Sequence, residues 1–306
     1  MISVGTLAKN TMWVVFAAAI PWLWFLVRDL GPVAQLVALA LPVIVVAALI
    51  GLIISAFDDR KLSSLLVAVS VLAFGWVTIV EPRSAMPASP PLDPIRIASI
   101  TLDGSTLNAS AIVGSLAKQR ADIAVVVEPS KKARGVLLRA DRYPYTLTSG
   151  RFVVLSTIPV EKLPLPKGLP DDLILRLQVD RPTGSFIVYA VRTGTSPLDA
   201  AQNDPIGVDR LRDAARDERL PVVLVGDFGI SDRSSGYRTL TDSFRDAMRS
   251  GTRAASTAAA FPWNFLYLRT EFVLTSPDRC AAAGSTFDVQ DASAVGLVSA
   301  IGDCGP

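Results

Sequence analysis

Histidine is missing from all 306 residues, and cysteine occurs only twice, as Cys280 and Cys304. Without an imidazole there is no His general base, no Ser/His or Cys/His nucleophile pair, and no His ligand for zinc. Charge is scarce as well, 19% of residues against 50% apolar, for a mean hydropathy of +0.41. The net charge of +2 is too small to hold nucleic acid through its phosphates, so no nucleic-acid partner is expected. The scarcity is also uneven. Lys and Arg total 30 and Asp and Glu 28, yet residues 1–80 carry only Lys9, Arg28, Asp29, Asp58, Asp59, Arg60 and Lys61. This is the composition of a bilayer segment joined to a water-exposed domain.

Three apolar runs, 12–27, 33–56 and 62–80, are separated by Arg28-Asp29 and by Asp58-Asp59-Arg60-Lys61. Each approaches the roughly 20 residues that cross a bilayer core, and together they predict an anchor, 1–80, of three transmembrane helices at about 12–30, 33–57 and 62–80. Trp13, Trp22 and Trp24 suit an interfacial belt, and Pro21 suits a kink. The alternative for the first run is a cleavable signal peptide; two further runs follow at once, which favours a permanent anchor. Lys9, Arg60 and Lys61 against Arg28 and Arg83 place the N-terminus in the cytoplasm. The expectation is a multi-pass protein of the cell membrane with its large domain extracytoplasmic. In that oxidising setting Cys280 and Cys304 close a disulfide contributing about 3 kcal/mol, the alternative being two buried thiols. Residues 81–94 hold five prolines, at 82, 87, 90, 91 and 94, and predict a semi-rigid extended stalk.

From 95 to 306, apolar runs at 95–100, 124–127, 152–155, 173–179, 186–191, 222–225, 271–274 and 296–300 predict strands. Residues 108–120 and 205–219 predict amphipathic helices between them. The chain is long enough for a single α/β domain with a large two-layer or four-layer core.

Four segments in this order carry a resemblance: Ile95-Arg-Ile-Ala-Ser-Ile-Thr-Leu-Asp-Gly104, Ala121-Asp-Ile-Ala-Val-Val-Val-Glu-Pro129, Leu220-Pro-Val-Val-Leu-Val-Gly-Asp-Phe-Gly229, and Tyr237-Arg-Thr-Leu-Thr241 with Arg245-Asp-Ala247. Together they resemble the endonuclease/exonuclease/phosphatase superfamily, and more narrowly its membrane-anchored actinobacterial members. The resemblance implies a four-layer α/β sandwich with two central, mainly antiparallel sheets, and cleavage of phosphate esters with Mg²⁺.

It also implies a set of site positions, several of them changed. Thr101 stands where such enzymes carry a metal-binding Asn, while Glu128 keeps the metal-binding Glu. Arg192 takes the place of a phosphate-contacting His. Asp227 is kept, but Gly229 replaces the Asn that follows it. Glu271 substitutes for an Asp, and the closing Ser-Asp-His falls on Ala292-Ser293-Ala294.

Losing a general acid or base costs about 10²- to 10⁴-fold, and losing an oxyanion donor about 10²- to 10³-fold, so several losses together erase turnover. The expected protein is therefore a pseudoenzyme with no catalytic residues and no cofactor. Glu128, Asp227 and Glu271 are the carboxylates that would gather around a retained Mg²⁺. Arg192 either binds a phosphate or carboxylate, or neutralises the leftover acids. Lys131, Lys132, Arg134, Arg139 and Arg142 form a basic loop that is either a solvated surface or a contact for anionic lipid or an acidic partner. The aromatic stretch 261–268 is either core or a docking edge.

Small residues on the spans, such as Ala17, Ala47, Ala48 and Gly51, permit close helix contact. The function expected first is an accessory or assembly subunit of a membrane or envelope complex, respiratory or cell-wall, partnered by other membrane-protein subunits. Second comes a phosphate-ligand-binding module, and third a residual Mg²⁺-dependent phosphodiesterase or phosphatase.

Overall fold

The computed structural model describes residues 91–102, 109–193, 206–232, 234–249, 258–259, 267–281, 284–289 and 295–304. The three expected spans and residues 81–90 of the stalk lie outside them. Among the described residues no helix is long and apolar enough to cross a membrane.

In chain order the elements are β1 (Pro91–Thr101), α1 (Ala109–Lys118), β2 (Ile123–Val127), α2 (Lys131–Leu137), β3 (Tyr145–Ser149), β4 (Phe152–Ser156), β5 (Val160–Leu163), β6 (Ile174–Val179) and β7 (Phe186–Arg192). There follow α3 (Val208–Arg216), β8 (Val222–Asp227), α4 (Ser235–Thr241), β9 (Arg245–Asp246), β10 (Ala258–Ala259), β11 (Tyr267–Leu268), β12 (Glu271–Thr275), β13 (Arg279–Ala281), β14 (Ser285–Asp288) and β15 (Val295–Cys304). One large sheet runs β13-β15-β1-β2-β4-β3 with β14 also paired to β15, the other large sheet runs β5-β6-β7-β8-β12-β9, and β10 pairs with β11 separately. Both large sheets are mixed. β1 and β2 are parallel, joined through α1, as are β7 and β8, joined through α3, and the remaining long pairings are antiparallel.

Alternation along the strands builds three apolar layers. In β2, Ile123, Val125 and Val127 enter the layer between the sheets, where they meet Leu175, Val188 and Val225 of the other sheet. Ala124 and Val126 point the opposite way, onto Ile112 and Leu116 of α1 and Ala133 and Leu137 of α2. On the far side, Tyr189, Val191 and Leu224 pack against Leu211 and Ala215 of α3 and Tyr237 and Leu240 of α4. The order is helices, sheet, sheet, helices. A one-residue slip of any of these strands would exchange two layers' side chains, so register is tightly specified. Each fully buried Leu, Ile or Val adds about 1.5–3 kcal/mol relative to exposure.

Two boundaries differ from expectation. β1 starts at Pro91 rather than at residue 95, so the last four stalk residues belong to the sheet. A strand tolerates proline at its first position and at a bulge; Pro91 is first, and Pro94 falls where the pairing with β15 shifts between Leu92 and Ile95. The basic segment at 131–137 is a helix rather than a loop, capped by Ser130, whose hydroxyl accepts from the Ala133 N–H at 3.2 Å.

Candidate functional site

The three strand ends that matter lie side by side. Arg192 closes β7, Asp227 closes β8 and Glu271 opens β12; Arg192 is the cross-strand partner of Asp227, and Asp227 that of Glu271. Val188 and Ala190, Val223 and Val225, and Val273 all enter the layer between the sheets, so Arg192 and Asp227, two residues after the last of these, and Glu271, two residues before Val273, emerge on the same face at its rim. Glu128 arrives from the other sheet. By alternation it would turn away, because Val127 already points inward; a backbone φ of +53° re-aims it. Its N–H is held by the Arg151 carbonyl at 2.8 Å.

A guanidinium occupies the meeting point. Arg192 donates from Nη1 to Asp227 Oδ2 and from Nη2 to Glu128 Oε2, the latter at 3.1 Å. The other Glu128 oxygen accepts from Arg151 Nη1 at 2.7 Å, and the other Asp227 oxygen accepts from the Gly229 N–H at 3.0 Å. The side chains of Arg192 and Asp227 are only 10% and 9% exposed, so the pair is largely withdrawn from water. Burial pushes the Asp227 carboxyl above its ordinary value, although Arg192, the Gly229 N–H and Thr270 each pull it down.

Two glycines fit the rim closely. Gly226 has φ +127°, and a Cβ there would stand 2.2 Å from the Val191 carbonyl oxygen. Gly229 has φ +65°, and a Cβ there would stand 2.3 Å from Thr193 Oγ1. An Asn at 229 would therefore meet the Thr193 side chain, which would have to shift to admit it.

Thr101 ends β1 on the inter-sheet face, with its Oγ1 buried and without a hydrogen bond among the described residues. The structure thus brings Glu128, Arg192, Asp227, Gly229 and Glu271 to one rim. Ser293 and Ala294 lie outside the described residues, as do the side chains of Cys280 and Cys304 and most of 261–268. Arg151 belongs to this cluster and the sequence gives no direct sign of it; only the β2–β4 register, Val127 opposite Phe152, sets it against Glu128.

A hard divalent cation needs carboxylate oxygens with open lone pairs. Here both Glu128 oxygens accept from arginine nitrogens, Asp227 accepts from Arg192 at one oxygen and from the Gly229 N–H at the other, and among the described residues no three acidic or Cys side chains cluster as metal ligands. The arrangement does not fit Mg²⁺. With one cation shared between two acids, Glu128 from one sheet and Asp227 from the other, it ties the sheets together at the rim.

A profile of the Endonuclease/Exonuclease/phosphatase family matches residues 101–298. No curated protein matches the sequence. Among solved structures, the endonuclease/exonuclease/phosphatase of Beutenbergia cavernae is 19% identical with a TM-score of 0.53, over 69% of this chain and 72% of that one. D. rerio TDP2 complexed with single-strand DNA product is 13% identical with a TM-score of 0.53, over 69% and 99%. An AP endonuclease from Archaeoglobus fulgidus is 15% identical with a TM-score of 0.53, over 67% and 98%. At these identities the likeness concerns the fold.

Proposed function

The chain belongs to the endonuclease/exonuclease/phosphatase family, and from that premise we propose that it is a pseudoenzyme, closed by its own arginine, serving as a membrane-anchored accessory or assembly subunit of an envelope complex. One observation carries the reading: the Arg192 guanidinium lies between Asp227 and Glu128, where the family's chemistry would place a metal and a phosphate. The chain also has no histidine with which to move a proton. What remains is a rigid domain and, in residues 1–80, the three apolar runs expected to dock beside other membrane helices.

Two measurements test this. Millimolar Mg²⁺ leaves the melting temperature of the wild-type protein unchanged, whereas Arg192→Ala, which uncovers two carboxylates, gains stability with Mg²⁺. Mg²⁺-dependent release of phosphate or nucleotide from phosphate esters, lost in Asp227→Ala and in Glu128→Ala, would overturn the inactive assignment. For the subunit role, mild-detergent purification from native membranes followed by mass spectrometry recovers stoichiometric membrane-protein partners; recovery solely as a monomer sinks it.

A further inference from the structure

We propose that residues 131–145 form a docking surface for anionic lipid headgroups. The stretch comprises α2, the tight turns after it and the first residue of β3. It carries five Lys or Arg (131, 132, 134, 139 and 142) against Asp141, so that charge is concentrated here in a chain of net charge +2. Arg134 is engaged with the Gly150 carbonyl at 2.9 Å, which ties α2 to the β3–β4 turn and fixes the surface to the sheet. Arg142 lies over the Tyr143 ring at 6.0 Å. Lys131, Lys132 and Arg139 are exposed, and their side chains make no ion pair or hydrogen bond among the described residues.

Apolar groups stand among these cations. Four large hydrophobic side chains are exposed among the described residues, and three of them are here: Val136, Leu138 and Tyr145. Two are aliphatic and one carries an amphipathic ring of the kind that settles at a headgroup layer. Lysine and arginine interleaved with aliphatic and aromatic groups on a short, anchored helix and turn match an anionic bilayer surface, which supplies diffuse negative charge over a shallow apolar layer. An acidic protein would satisfy the lysines and leave Val136 and Leu138 without a reason to be exposed. The inference uses this stretch alone and does not depend on the three spans or on the state of the Arg192 centre.

The test uses the full-length chain with nanodiscs of pure phosphatidylcholine or of phosphatidylcholine with 30% phosphatidylglycerol, read by amide hydrogen exchange. Retention on neutral discs reports the spans; slowed exchange confined to 131–145 on anionic discs reports the docking surface. The expected result is protection with phosphatidylglycerol only, reversed at high salt. The triple variant Lys131→Glu, Lys132→Glu, Arg139→Glu should weaken it by about 100-fold or more, since each basic residue near such a surface is worth roughly fivefold. All three positions are exposed, and an unchanged melting curve shows that the variant folds. Equal exchange on both discs overturns the proposal. Protection by soluble polyglutamate in the absence of lipid does so too, in favour of an acidic polypeptide.

Discussion

At the scale of single residues, the acids of this chain are held by arginine in more than one place. Glu218 takes Arg176 in both of its oxygens, at 2.7 and 2.8 Å, and also accepts from the buried Tyr189 hydroxyl at 2.6 Å. Burial pushes the Glu218 carboxyl up, but these hydrogen bonds outweigh it and hold it below its ordinary value. The folded state therefore favours the charged form. Its stabilisation is fully present above the ordinary carboxylate range and is lost as pH falls through the depressed value. Urea titrations at decreasing pH should show this loss, and Glu218→Gln should remove that part of the slope while costing about 1.5–3 kcal/mol at neutral pH. Of the site residues, Glu128, Asp227 and Arg192 were legible because each ends an apolar run in a recognisable order. Arg151 was not, since its role depends on a register set by the whole sheet.

At the scale of elements, legibility followed burial. β2, β4, β7 and β8 are buried along their entire length and read as unbroken apolar runs. β3 and β5 were invisible because they are edge strands with mostly exposed or half-buried side chains, where alternation is weak. α2 is hard to see in the sequence for a related reason: seven residues give too little period, and its helix is set by the Ser130 cap and by burial of Ala133 and Leu137. In the sequence Gly226 stands out only as part of a motif, yet its physical task belongs to the element. It lets β8 pass against the Val191 carbonyl while presenting Asp227 to Arg192. Gly226→Ala should cost at least about 1–3 kcal/mol from backbone strain alone, with further loss from the contact, seen as a lower midpoint in chemical denaturation.

At the scale of the whole molecule, the helix, sheet, sheet, helix order was available only from the resemblance, since the apolar runs alone left two or four layers open, and the pairing of β1 with β15 was not available at all, because nothing local links residues about 200 positions apart. A second long-range tie, equally silent in the sequence, is the buried pair of Arg269 and Asp246. Arg269 grips both Asp246 oxygens, at 2.6 and 2.8 Å, lies over the Phe272 ring at 4.7 Å, and shares Asp246 with the Tyr237 hydroxyl. It fastens β9 to the entry of β12, which in turn lies beside β8 and its Asp227.

The place of β15 in the first sheet has a kinetic consequence. That one strand is the neighbour of β1, β13 and β14 at once, so the earliest strand stays half-clamped until residues 295–304 have left the ribosome. The second sheet carries no such debt to late sequence beyond β12, and should mature first during synthesis. Nascent chains stalled with residues up to 294 outside the exit tunnel should remain open to protease across 91–101, and chains stalled after 304 has emerged should resist. Equal resistance at both lengths would show that the strand closes a sheet already formed.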